Sequence, residues 1–468
     1  MQNVKCRMKN RILGSAVFAF ASLVFVLPVS AQKETPPEGG SPKAFVFPKQ
    51  DTYALPNGLK VTMVQYGSIP KVAFQATIYS GTKDDAPGKK AISEMTGSML
   101  KEGTKTRTAE QIALEAASMG GSLNTGTGTD STSITGEVLS EFDVRFVELL
   151  ADVILNPNFQ QSELDRLKAN KLRALTVARQ QAGNQAWEKF RETVFTGHPY
   201  SQINPRDEEV ASYSLADIKD FYAKGYVASR THLYVVGRFD PAAVKAAISK
   251  AFSGWQKGTP STRNVPNVVG KRSFATINRA DAPQSTIYLG MPAPAPSDSD
   301  YVKFVVMDSI LGGSFGSRIT SNIRENKGYT YSPGSFVWGR YKTGYWVESA
   351  DVTTEHTGNS IKEILSEIQR MRDEPVGNAE LQGIKNFLTG LYVLQNSSRF
   401  GVIGQLENSN YNELGNAYID NYVKNVIAVT AGDIQAMAKK YLTEDKMTIV
   451  VVGDLAKIAT QVKPYEVQ

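Results

Sequence analysis

Runs of apolar and β-branched residues at Lys60 to Tyr66, Val72 to Tyr79, Thr231 to Val236, Thr286 to Leu289 and Met447 to Val452 predict strands. Between them the apolar period lengthens to that of helices. Thr108 to Met119 is the clearest case: Thr108 and Gln111 have the spacing of a capping box, Ile112, Ala116 and Met119 share one face, and Gly120-Gly121 closes the run. Tyr301 to Leu311, preceded by Pro-Ser-Asp-Ser-Asp, predicts another helix. Gly120 to Gly136, with Gly126, Gly128 and interspersed Thr and Ser, reads as a polar hairpin whose edge could accept a peptide strand.

The pattern occurs twice. SLADIKDFYAKGYVASRTHLYVVGRFD, from Ser214, recurs as TAGDIQAMAKKYLTEDKMTIVVVGDLA, from Thr430, so that Asp217 matches Asp433, Ile218 matches Ile434 and Gly237 matches Gly453. Glu163-Leu164 matches Glu380-Leu381 farther upstream. Strands mixed with long helices, repeated, predict an α+β chain of two homologous α/β sandwich domains, 49–252 and 268–468. The polar segment 253–267, with Gly254, Gly258, Pro260 and Pro266, reads as their linker.

Composition adds a destination. Lys5, Arg7, Lys9 and Arg11 precede an apolar stretch from Ile12 to Leu27, and Val29-Ser30-Ala31 follows, which predicts a signal peptide over residues 1–31 and a periplasmic or secreted protein without a stable membrane anchor. Losing that segment lowers the net charge from +6 to +2 and removes the single cysteine, Cys6. Disulfide chemistry, thiolate chemistry and nucleic-acid binding are thereby disfavoured. Residues 32–48, rich in Pro, Gly, Lys and Glu, read as a flexible lead-in.

The stretch GGSFGSRITSNIRENKGYTYSPGS, from Gly312 to Ser335, carries the candidate chemistry. A helix-compatible run through Arg318 to Arg324 ends at Gly328, and Tyr329-Thr330-Tyr331 predicts a departing strand. Arg324 and Tyr331 would then converge as two donors suited to an oxyanion or a substrate carbonyl. From spacing alone, Arg324 reads more simply as a complement to the helix dipole and Tyr331 as a strand filler. Gly312 to Gly316 also fits Gly-x-Ser-x-Gly around Ser314, with Asp351 and His356 downstream, but a helix precedes the serine where a nucleophile elbow needs a strand.

On these residues the chain resembles the pitrilysin and mitochondrial-processing-peptidase family, the inverzincins, in which a glycine-rich turn, a Ser-Arg pair and Arg-Glu-x-x-Gly-x-x-Tyr occur in this order. Ser317-Arg318 fall on the pair, and Arg324, Glu325, Gly328 and Tyr331 on the run. The resemblance implies paired domains forming a clam-like half-chamber, with the arginine and tyrosine polarising a peptide beside zinc. It also implies His-x-x-Glu-His on a first-domain helix. Counting back from Gly103-Thr104 in KKAISEMTGSMLKEGT, those metal and base positions hold Glu94, Gly97 and Ser98, and the third-ligand region reads Arg173-Ala174-Leu175. The three histidines, His198, His232 and His356, have no shared helical spacing. No metal is expected in this chain. The resemblance therefore implies a non-catalytic, peptide-binding subunit that lends Arg324 and Tyr331 to the zinc site of a His-x-x-Glu-His partner in a heterodimer. The alternative is a peptide-binding or scaffolding pseudo-peptidase of the bacterial envelope with no catalytic role.

Overall fold

A computed structural model describes residues 46–268 and 270–466, all of which lie in one compact unit, Pro42–Gln468. The leader, residues 1–31, and most of the lead-in lie outside the described residues. Where the lead-in enters them it is already docked: Phe47, expected to be flexible, is buried against Val64, Ala73 and Ile403. Among the described residues no helix is long and apolar enough to cross a membrane.

The first half runs β1 (Gln50–Ala54), β2 (Lys60–Gln65), β3 (Lys71–Ile78), α1 (Ile92–Met99), α2 (Ala109–Ser118), β4 (Ser122–Thr127), β5 (Thr132–Leu139), α3 (Asp143–Leu155), α4 (Gln161–Arg179), α5 (Ala182–Val194), α6 (Asp207–Ser212), α7 (Leu215–Gly225), β6 (Thr231–Gly237) and α8 (Pro241–Phe252). The second half runs β7 (Ser273–Asn278), β8 (Gln284–Pro292), α9 (Tyr301–Leu311), β9 (Gly334–Arg340), β10 (Thr343–Thr353), α10 (Thr357–Asp373), α11 (Asn378–Gln395), α12 (Arg399–Asn412), α13 (Asn416–Ala428), α14 (Ala431–Tyr441), β11 (Thr448–Gly453) and α15 (Leu455–Val462). The first sheet is ordered β1-β2-β6-β3-β5-β4 and the second β7-β11-β8-β10-β9.

Apart from β1, the two orders superimpose strand for strand. In each, the repeat supplies the one strand that pairs parallel to its neighbour: β6 beside β2 and β11 beside β7. The helices before these strands start the same way, Ser214 and Thr430 each closing a capping box with Asp217 and Asp433. The mixed α/β architecture of two homologous domains thus follows the repeat.

Each sheet packs its own half's helices on one face, and their cores hold Phe74, Phe146 and Ile248 in the first half and Phe304, Trp346 and Ile434 in the second. The other face is covered by the opposite half. Phe190 and Val194 of α5 pack on Tyr345, Val347, Val450 and Val452 of the second sheet. Val402, Ile403 and Leu406 of α12 pack on Val64, Ala73 and Val236 of the first. With both faces covered, β6 and β11 are buried along their whole length.

Candidate functional site

The first-half candidate positions lie on α1. Glu94 and Ser98 are one turn apart on a half-buried face, and Gly97 is buried beside them. Asp85 fixes the start of this helix, its carboxylate accepting from the amides of Ala91 (2.7 Å) and Ser93 (3.0 Å). Burial pushes the Asp85 carboxyl up to about 7 against the pull of those donors.

This face does not fit zinc. Its one carboxylate, Glu94, is taken by the Lys171 ammonium of α4 at 2.5 Å, so a side-chain cation sits where a metal's charge would be needed. A Cβ added at Gly97 would stand 2.3 Å from Thr127 Oγ1 on β4, leaving no room for a base. Among the described residues no group of three or more His, Cys, Asp or Glu side chains could hold a metal ion. The histidines are engaged separately. His198 Nδ1 accepts from the Tyr200 amide at 3.1 Å, His232 bonds Thr62 Oγ1 at 2.9 Å, and His356 stacks on Tyr329 at 4.2 Å. Sequence reasoning looked for the opposing ligand at Arg173 to Leu175 and missed Lys171, two residues earlier on the same helix. No local pattern marks it, since only the packing of α4 on α1 brings it there.

The second-half candidates do converge. Gly312 ends α9, the chain turns through Ser314 and Phe315, and a π-helical run, Thr320–Asn326, carries Arg324. Gly328 (φ 65°) stops that run as expected, with the Tyr329 amide donating back to the Ile323 carbonyl at 2.8 Å. The predicted strand at 329–331 is a correction. Only Thr330 bridges, to Val352, and the regular strand begins at Gly334 because Pro333 has no amide hydrogen to give a ladder. Tyr331 therefore lies on a bend, 78% exposed, where it swings back over the helix it follows.

There the Arg324 guanidinium is clamped between two rings, 4.5 Å from the centroid of Phe315 (74% exposed) and 4.9 Å from that of Tyr331. Its Nε faces Glu325 at 3.3 Å, while among the described residues no acceptor engages its terminal nitrogens or the Tyr331 hydroxyl. The three side chains border a cavity of about 380 Å³ floored by Gly312, Gly313 and Ser335. Phe315 is the member that sequence reasoning did not single out; an exposed aromatic amid glycines was its signal. The neighbouring Ser-Arg pair is structural: Ser317 is buried and bonds Thr320 at 2.9 Å, and Arg318 makes a bidentate pair with Glu380 of α11 at 2.9 and 2.8 Å.

No serine relay forms here. Asp351 accepts from Thr286, His356 faces Glu355 at 3.3 Å, and the Ser314 hydroxyl is buried without a protein partner. What the arrangement offers is a preorganised pair of free donors beside an exposed apolar ring, suited to holding a peptide carbonyl.

Known proteins share the family and the fold. The family model described as Insulinase (Peptidase family M16) matches residues 61–204, and that described as Peptidase M16 inactive domain matches residues 212–388. An uncharacterized zinc protease of Rickettsia bellii is 27% identical over 322 residues, 68% of this chain and 77% of the relative. Another, of Streptomyces coelicolor, is 23% identical over 411 residues, 86% and 89% of the two chains. Among solved structures, the peptidase M16 inactive domain from Pseudomonas fluorescens is similar with a TM-score of 0.80 at 24% identity, covering 86% of this chain and 98% of that one. A protease from Helicobacter pylori is similar with a TM-score of 0.81 at 18% identity, covering 87% and 100%.

Proposed function

Because this chain belongs to the M16 peptidase family, we propose that it is the non-catalytic, substrate-binding subunit of a two-chain zinc peptidase. The observation that carries the reading is the clamped Arg324 with free terminal nitrogens beside the free Tyr331 hydroxyl, in a chain whose own metal-helix positions are closed by Lys171 and Thr127. The metal and general base belong to a partner that carries His-x-x-Glu-His. This chain's share is binding: Arg324 and Tyr331 donate to the peptide carbonyl as it gains negative charge, and the polar edge of β4 lies open for an extended peptide. The leader sends the pair to the periplasm or the medium.

The test is hydrolysis of a quenched fluorogenic peptide mixture by this chain, by the His-x-x-Glu-His partner, and by the two mixed, with and without chelator. Activity confined to the mixture and abolished by chelator is expected. A mixture no faster than the partner alone, with no stable complex, would sink the shared site and leave the scaffolding role.

A further inference from the structure

Two carboxyls lie directly beneath the glycine floor of the Arg324 cavity, and nothing in the reading above uses them. Asp308, on the last turn of α9, accepts from Ser335 Oγ and, at 2.6 Å, from Trp346 Nε1. Glu348, on β10, is fully buried, and neither of its oxygens has a protein hydrogen-bond partner; the Gly334 amide is near enough only to favour its ionised form weakly. The turn rests on both. A Cβ at Gly312 would stand 2.6 Å from Glu348 Oε2 and 2.5 Å from Ser335 Oγ, and one at Gly313 would stand 2.6 Å from Asp308 Oδ2. The amides of Gly312 and Gly313 both donate to the Asp308 carbonyl, at 2.9 and 2.8 Å, and the Ser335 amide donates to that of Gly312 at 3.2 Å. The segments bearing Phe315 and Tyr331 are thus both hung from this pair.

Among the described residues no cation faces either carboxyl. The titratable and charged groups nearby are Tyr301 on α9, which feels Asp308 and Arg340 of β9, Tyr418 and Tyr422 on α13, which feel Tyr301, and the Lys303–Asp433 and Lys440–Asp300 pairs joining α9 to α14. The strand β8 presents Leu289 opposite Glu348, and α10 and α11 present Ile361, Ile364 and Leu388 to the same core. An apolar side chain would fill the place of Glu348 at lower cost. What an acid adds there is charge that appears as pH rises.

We propose that Asp308 and Glu348 share protons as a positioning pair, holding the glycine turn and its Phe315, Arg324 and Tyr331 in place while a proton remains between them and loosening it when the last one leaves. Burial holds Asp308 up to about 6, and burial together with the Asp308 charge holds Glu348 well above the usual carboxylate range, so the pair ionises in two steps. The second step puts two uncompensated charges under the turn.

The test uses the full chain labelled with ¹⁵N-tryptophan, followed from about pH 5 to about pH 9, with the Trp346 indole resonance assigned by Trp346→Phe. That resonance should titrate. Hydrogen exchange over residues 312–335, corrected for intrinsic base catalysis, should lose about tenfold in protection along the alkaline step, and less than about twofold in Glu348→Gln. Asp308→Asn is the second variant, expected to remove the acid step, and the wild-type titration decides the matter alone if neither variant folds. In the mixed peptidase assay kcat/KM should fall on the same alkaline limb, with the fall carried mainly by kcat, and Glu348→Gln should flatten that limb. A flat Trp346 resonance, or protection that ignores the step or the variants, overturns the pair. The inference rests on Arg324 and Tyr331 being peptide donors, yet the two fail separately: an inactive mixture sinks that reading and leaves the exchange result standing, whereas flat exchange beside an active mixture sinks only the pair.

Discussion

The helix α1 follows β3 in the first half, and α9 with the turn that ends it follows the corresponding strand β8 in the second; the groups they carry have met opposite fates. At α1, Glu94 is spent on Lys171, the space beside Gly97 is taken by Thr127, and the amides of Ala91 and Ser93 are spent on Asp85. After α9, donors are left over and large rings stand in solvent, while Glu348 beneath has no hydrogen-bond partner among the described residues. Satisfied polar groups make a closed surface, and unsatisfied ones held in place make a site.

The comparison breaks most sharply at Arg324. In the reconstituted pair Arg324→Ala is expected to lower kcat/KM by about 10² to 10³, the loss found on deleting a donor to developing negative charge, and Tyr331→Phe by about tenfold. Glu94→Ala, measured in the same assay, should leave kcat/KM unchanged. Equal losses at both places would erase the contrast drawn here.

Next in size are steric tests of the closed side. Gly97→Glu should cost about 1–3 kcal/mol in denaturant unfolding, because the new side chain must displace Thr127, and Thr127→Ala should recover part of that. Installing Glu94→His, Gly97→Glu and Ser98→His together should still give no stoichiometric zinc after dialysis. Zinc uptake is expected only when Lys171→Glu and Thr127→Ala are added, since a retained ammonium opposes the metal and withholds a ligand.

A further effect is one of pH. The Asp85 carboxyl is held up to about 7 in the folded chain, so its protonated form stabilises the native state. That contribution is complete below its ordinary value of 3.8 and is lost as pH rises through about 7. Thermal unfolding of Asp85→Asn against pH should therefore show a flatter profile across that window than the parent.

Much of this was legible in the residues. The capping box at Thr108 depends on a neighbour three residues on, and the repeat marked β6 and β11 as equivalent strands, though not which strands they pair with. Arg324 and Tyr331 were expected to meet, and they do, but by a bend and ring stacking rather than along a strand. What could not be read is whatever depends on distant packing. Lys171 opposes Glu94 across 77 residues, and Glu348 reaches Gly312 from another element. Likewise, the apolar faces of α5 and α12 announce burial without saying which sheet they cover.

Each half lends a helix to the other, so the chain is in effect a swapped dimer whose two subunits happen to be spliced end to end. Between α8 and β7 the described residues of the splice carry no helix or strand, and its main contribution is to hold the partners at an effective concentration in the millimolar range. A protease cut within 258–262 should accordingly leave a species that migrates as one particle in gel filtration and unfolds in a single transition. Either fragment expressed alone should collapse onto an uncovered sheet and aggregate.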